Sequence, residues 1–270
     1  MDPKSMKGFS FFLHSIGRVF SFFFSYGWRI RRTKVFILIG LLPVAMAALI
    51  RIPQAFSQSE YIRGMTVFSN MIMVFYLQFL ILILALFFGS SICSEEVESK
   101  TLTYLTTRPV SKSAVVLGKY AAYILLMGFI VTTGIILAFI ILNFENLLDL
   151  SLYKILGRDI GVLLLGLICY TAFFTFLGTV IKKSILFGLV FAFGWENVIQ
   201  YFPGSTQKFT IVHYLKSLLP ASSSPHFSFL TFRLESTAPG NSIFMLFLIA
   251  AGFLFLACLV FTFKEYIYED

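Results

Sequence analysis

Residues 66–93, TVFSNMIMVFYLQFLILILALFFGSSIC, contain no charged side chain, and residues 94–113, SEEVESKTLTYLTTRPVSKS, follow at once with charges and hydroxyls. A bilayer core of about 30 Å takes roughly 20 mostly apolar residues per helical crossing. The first stretch therefore reads as a membrane span, and at about 1.5 Å per residue it reaches roughly 40 Å and projects beyond the lipid. The second cannot lie in hydrocarbon, where each Asp, Lys or Arg costs about 2.5–3.5 kcal/mol on the insertion scale. A second apolar run, 115–142, comes next. The chain thus crosses, shows water a short charged segment, and crosses back.

Working outward, further apolar runs lie near 35–52, 160–181, 184–202 and 242–263, giving six in all. The fold class expected is an all-α membrane protein of six transmembrane helices, a domain spanning 35–270. Composition agrees: 58% of residues are hydrophobic, 13% are charged, and 34 of the 270 are Phe. Such a chain is too apolar for a water-soluble domain, and its short connections leave no room for a separate enzyme module. The longest segment outside the spans, 203–241, holds Pro203, Pro220, Pro225 and Pro239. Within it Phe209–Ile211 and Tyr214–Leu219 are apolar patches that read as short helices at the membrane surface.

The stretch Phe9–Trp28 is Phe-rich, yet Ser10, His14, Arg18, Ser21 and Ser25 recur every three or four residues as one polar stripe. A helix of that kind lies in the interface, so residues 1–34 are expected to form an interfacial N-terminal element. A full span is the rival reading and would move the N-terminus outside. No small-residue cleavage site follows, so no signal-peptide removal is expected. Arg29, Arg31, Arg32 and Lys34 stand against the first span, suited to anionic lipid headgroups.

The net charge of +8 clusters beside the spans instead of forming a stripe with exposed aromatics, so no nucleic-acid partner is expected. With both termini on the cytoplasmic side, the inner segments carry twice the Lys and Arg of the outer ones, as the positive-inside rule asks. Lys182-Lys183-Ser184 then closes a tight hairpin on that side. Cys93, Cys169 and Cys258 lie in or beside apolar runs without a CxxC or a metal-like spacing to His, and read as small hydrophobes. No metal, cofactor or catalytic residue is expected. His14, His213 and His226 are scattered, and neither HExxH nor GxSxG is present.

Within 94–113, Ser94 suits a helix N-cap and Glu95 and Glu96 suit its first turn. Val97, Thr101 or Leu102, and Leu105 give an apolar edge at helical spacing, Pro109 ends the helix, and Ser111 caps the next span. An amphipathic helix near 95–107 and an ordinary capped loop both fit this pattern.

The string Glu96-Val-Glu98-Ser-Lys-Thr101-Leu102, then Arg108-Pro109-Val-Ser111-Lys112, then Leu117-Gly118-Lys119, resembles the signature of ABC-2 type transporter permeases. It is close to the nitrous-oxide-maturation type. Trp195-Glu196-Asn197, Pro203-Gly204 and His213-Tyr214-Leu215 resemble a second region of the same group. Lys100 stands where the family often has Gly, and Val97 where many members have a basic residue. The resemblance implies a type V exporter-like permease of the bacterial inner membrane. It also implies dimerisation with a second copy or a related chain, and a separate ABC ATPase that binds the ATP. No GxxxxGK[ST] loop is present, in keeping with that division.

By the same analogy the 95–107 helix is a coupling helix. Its docking surface is then Glu96, Glu98, Thr101, Leu102, Tyr104, Leu105 and Arg108, with Pro109 and Ser111 setting its geometry. Glu196, Gln78 and His213 are the polar residues of interest within or beside the spans, as structural hydrogen-bonding groups first and pathway residues second. Gly157 and Gly161 make a lone GxxxG that would favour close packing. The alternatives are a noncatalytic membrane scaffold or assembly factor driven by a partner ATPase and, less favoured, a membrane-embedded enzyme.

Overall fold

The computed structural model describes residues 3–56, 64–98, 111–146, 149–181, 183–199, 205–219 and 237–264. These residues form helices α1 (Pro3–Arg29), α2 (Arg31–Phe56), α3 (Gly64–Met71), α4 (Ile81–Glu98), α5 (Lys112–Leu142) and α6 (Leu150–Val180). They continue with α7 (Ser184–Val190), α8 (Glu196–Ile199), α9 (Ile211–Leu218) and α10 (Pro239–Phe263). A π-helical segment, Ile72–Leu80, joins α3 to α4, and another, Phe191–Trp195, joins α7 to α8. No strand occurs among the described residues.

Among the described residues five helices are long and apolar enough to cross a membrane: Arg31–Arg51, Gly64–Ser94, Lys112–Leu142, Leu150–Val180 and Pro239–Phe263. The chain is an integral membrane protein. The first and fifth of the six apolar runs, 35–52 and 184–202, are the short ones; the fifth is described to Ile199. Its described part, Ser184–Ile199, is an apolar helix of roughly 24 Å at 1.5 Å per residue.

The fourth run lies in a helix longer than itself. Its helix begins at Leu150, ten residues before the apolar run, because Asp149 caps it with a 3.0 Å bond from the Ser151 amide to Oδ1. That amide holds the Asp149 carboxyl below its ordinary range. Lys154, Arg158 and Asp159 mask this turn from a hydropathy reading, but charge at a helix end outside lipid does not stop a helix.

The bundle has one end, here the basal end, where α4, α6 and α10 finish and α5 and α7 begin. Antiparallel α3–α4 and α5 are matched along their length by Phe68 with Phe139 at 5.3 Å and Phe88 with Tyr123 at 5.4 Å. Helices α4 and α6 run parallel, with Ile81 beside Gly166 and Ser90 beside Gly178. Helix α10 follows α6 in the same direction, through Cys169 Sγ donating to the Leu246 carbonyl (3.2 Å) and the Phe173–Phe253 ring pair at 5.0 Å. The core is the shared interior of α4, α5 and α6, where Tyr76, Leu80, Phe88, Tyr123, Tyr170 and Phe174 are fully buried. Helix α10 turns Phe244, Phe247, Leu248 and Phe255 outward, as a lipid-facing helix does.

Helix α1 is not among the helices apolar enough to cross. It packs lengthwise on the basal half of α5, from Val19 against Gly118 to Trp28 against Phe129 (5.2 Å between rings). His14, Arg18, Ser21 and Ser25, the polar stripe, face outward, as do Leu13, Phe22 and Tyr26. The chain bends at Ile30, where the Thr33 hydroxyl donates to the Gly27 carbonyl at 2.6 Å.

Two expectations are corrected. Ser94 does not cap a new helix, because α4 continues unbroken to Glu98 and the Ser94 hydroxyl donates to the Ser90 carbonyl at 2.9 Å. No breaker stands between Cys93 and Glu98, and serine in a helix interior bonds back to the turn before it. Gly157 and Gly161 mark no close contact, since a Cβ at either would meet nothing within 4 Å among the described residues.

Gly178 is where close approach is needed, since a Cβ there would lie 2.6 Å from the Ser90 carbonyl oxygen. Backbone cannot yield as a flexible side chain can. Gly178→Ala is therefore expected to lower stability by about 1–3 kcal/mol. Gly252→Ala, with nothing among the described residues within 4 Å of its Cβ, should be neutral or slightly stabilising through helix propensity. Thermal unfolding of both variants in the same detergent checks this, and equal midpoints would contradict the α4–α6 contact.

Candidate functional site

A polar residue within an apolar run must be settled inside protein, and Glu196, at the start of α8, is. Its side chain is 1% exposed. Oε1 accepts the Ile211 amide at 3.1 Å, while Oε2 accepts the Val212 amide at 3.1 Å and the Tyr170 hydroxyl at 2.9 Å. Ile211 and Val212 are the first two residues of α9, whose amides have no intrahelical acceptor. Thr210, the N-cap, leaves them to others, since its hydroxyl donates to the Gln207 carbonyl at 2.7 Å. Glu196 thus caps α9 from fifteen residues upstream, placing a carboxylate at the positive end of the helix.

Helix α9 lies against α6, α10 and the π-helical segment Ile72–Leu80. A Cβ on Gly166 would meet the Leu215 side chain at 3.1 Å, so α9 reaches down to the middle of α6. His213 is buried on α9, with Nε2 paired to the Thr237 hydroxyl at 2.9 Å. The Ser217 hydroxyl donates to the His213 carbonyl at 2.9 Å and accepts from the Thr237 amide at 3.4 Å. Glu196 and His213 therefore both serve one short helix, the first capping it and the second tying it to Thr237.

Gln78 is half-buried in the π-helical segment. Its neighbour Phe79 meets Phe193 of the other π-helical segment at 6.3 Å, so the two irregular turns touch. Asn197 steadies the second by donating to the Ala192 carbonyl at 2.9 Å. Irregular turns of this sort are commonly found at functional positions in helices.

At the basal end, Ser111 caps α5, accepting the Ala114 amide at 3.3 Å. Glu96 and Glu98 belong to the last turn of α4. Thr101, Leu102, Tyr104, Leu105, Arg108 and Pro109 lie outside the described residues. No group of three or more His, Cys, Asp or Glu that could hold a metal occurs among the described residues.

Three buried residues gave no sequence signal of their burial or partners. Tyr170, in an unbroken apolar run, gives no hint of reaching Glu196. Lys119 and Asp159 look like flanking charges, yet they are 1% and 2% exposed. Asp159 has Arg158 Nε 3.6 Å from Oδ1, and that oxygen has no hydrogen-bond partner among the described residues.

Tyr170→Phe removes one hydrogen bond and is expected to cost about 1–3 kcal/mol, whereas Glu196→Ala strands three donors and should cost more than twice as much. Glu196→Gln should not rescue, because an amide must turn its N–H towards one of those donors. Thermal unfolding ranks the variants, and hydrogen exchange at Ile211 and Val212 reports the cap directly. A Glu196→Ala protein as stable as Tyr170→Phe would remove the capping role. Asp159→Asn is expected to hold or raise the unfolding midpoint, since it relieves a buried charge with a poor partner. A clear drop would mean Asp159 has a stronger partner than Arg158.

Comparison with known proteins bears on the bundle as a whole. No curated protein matches the chain. A family model described as ABC-2 family transporter protein matches residues 27–195, more than half of the chain, from the end of α1 through both π-helical segments. The protein belongs to the ABC-2 family of membrane transporter proteins.

Proposed function

We propose that this chain is the permease subunit of an ATP-driven exporter. Two such subunits, identical or related, surround the pathway, and a separate ABC ATPase drives them through the segment near 95–107. The cytoplasmic face is the basal one, both termini lie on it, and the membrane is the bacterial inner membrane. ATP is bound and hydrolysed by the partner, so this chain contributes docking and movement instead of chemistry.

The observation that supports this reading best is the pair of helices flanking the charged segment. Gly64–Ser94 and Lys112–Leu142 are 31 residues each, about 46 Å long, against a hydrocarbon core of about 30 Å. Both extend past lipid at the end where Glu96 and Glu98 stand, so a push on residues 95–110 has two long levers to act on. The basal excess of Lys and Arg supports the orientation. The same anatomy would serve a scaffold that does mechanical work, and nucleotide-dependent movement of cargo separates the two.

In mild detergent the tagged chain is expected to co-purify with a soluble nucleotide-binding protein. Glu98→Arg should weaken that association about tenfold or more, equal to about 1.4 kcal/mol, by setting like charge against the docking groove. If no such protein accompanies the wild-type chain and the charge reversal changes nothing, the coupling assignment falls and the scaffold reading replaces it.

A further inference from the structure

Lysine 119 closes the Leu117-Gly118-Lys119 string, yet nothing in that string says why a lysine should be sealed inside the bundle. It is 1% exposed. Its Nζ donates to the Ile92 carbonyl of α4 at 3.4 Å and lies 4.4 Å from the centre of the Phe23 ring of α1. The preceding glycine makes the second contact possible. A Cβ on Gly118 would fall 2.7 Å from Val19 Cγ1 and 3.1 Å from the Ile16 carbonyl oxygen. Gly118 thus lets α1 down onto α5, and Lys119 uses the resulting proximity to hold α1 and α4 at once.

A second cation completes the arrangement from α2. The Arg32 guanidinium lies 5.1 Å from the Phe88 ring of α4 and 5.7 Å from the Tyr123 ring of α5, and it donates to the Tyr123 hydroxyl at 3.3 Å. Tyr123 also meets Phe23 edge-on at 6.5 Å and Phe88 at 5.4 Å. Four helices, α1, α2, α4 and α5, are therefore joined at one level by two cations and three rings. Desolvated cation–π contacts are stronger than exposed ones, and a cation's bond to a carbonyl is stronger than a neutral one. Ile92 is one turn before Glu96, so the joint lies immediately behind the charged segment.

We infer that Lys119 is a positioning residue for energy coupling, fastening α1 and the basal ends of α4 and α5 into one lever that carries displacement of residues 95–110 into the bundle. This rests on the permease reading above. Without Lys119 the ATPase still docks, because its docking segment is untouched, but α4 slides against α5 and α1 instead of carrying them along.

The test uses the full chain with the nucleotide-binding protein that co-purifies with it, reconstituted in lipid nanodiscs. Two quantities are compared: the affinity of the two proteins, and the change in ATP turnover that the chain imposes on its partner. Lys119→Met should keep the affinity within about threefold and lower the imposed change in turnover about tenfold, while Lys119→Arg should restore most of it. Phe23→Leu, which removes the ring from the other side, should give an intermediate loss with the affinity retained.

Unchanged turnover in Lys119→Met with normal affinity would overturn the role of Lys119 and leave the permease reading standing. Parallel loss of affinity and turnover in both Lys119→Met and Phe23→Leu would reduce the joint to a folding element and overturn it too. Failure of the wild-type chain to engage any nucleotide-binding protein would remove both readings together.

Discussion

Glu196 resolves a problem of helix ends. Helix α9 begins among buried residues, Thr210, Ile211 and Val212, where neither water nor lipid can satisfy its first amides. A single carboxylate answers that need, accepting from Ile211 and Val212 while Tyr170 holds it from α6. The depth of α9, the burial of His213 and the packing of Leu215 on Gly166 all follow from where that cap sits. A buried acid is costly in a membrane unless it is bonded, and here both oxygens are taken.

The same rule accounts for the two π-helical segments. Widening a helix by one residue per turn disturbs its hydrogen bonds, and a membrane tolerates this only where protein covers the disturbance. Ile72–Leu80 has Tyr76, Leu77 and Leu80 in the core, and the Phe191–Trp195 segment has Asn197 bonded to the Ala192 carbonyl. Their contact through Phe79 and Phe193 sets the irregular turns of two adjacent spans against each other. Rigid regular helix surrounds this region on α5 and α6.

What was legible in the sequence follows from the same physics. Apolar runs give spans because lipid selects strongly for them, so the six runs, the Ser111 cap and the tight turn at Ser184 could be read from residues alone. Family membership was legible too, since Thr101-Leu102, Arg108-Pro109 and Leu117-Gly118-Lys119 form a compact string. Helix ends were less so. Leu150–Ile160 is helical despite Lys154, Arg158 and Asp159, because periodicity and a cap govern helix formation while hydropathy governs only insertion. The partners of Glu196 were illegible for another reason: Tyr170 and Ile211 are neighbours only through the packing of α6 and α9, and no local pattern records that.

The basic residues show how one feature meets two demands. Lys and Arg gather at the basal end, the face proposed to be cytoplasmic. That end is also where α4, α6 and α10 finish, so three sets of unpaired carbonyls and three negative dipole ends collect there. Lys264 donates to the Thr179 and Val180 carbonyls at 3.0 and 3.1 Å, closing α6, and Lys112 donates to the Thr262 carbonyl at 3.4 Å, closing α10. Lys119 instead bonds the Ile92 carbonyl within α4, tying α5 to that helix short of its end. Lys264 and Lys112 each come from a different helix than the one they close, so each closure is also a tie between helices. Charges that would otherwise only orient the chain in the bilayer thereby bind the ends of its spans together at the face from which the partner ATPase is proposed to act.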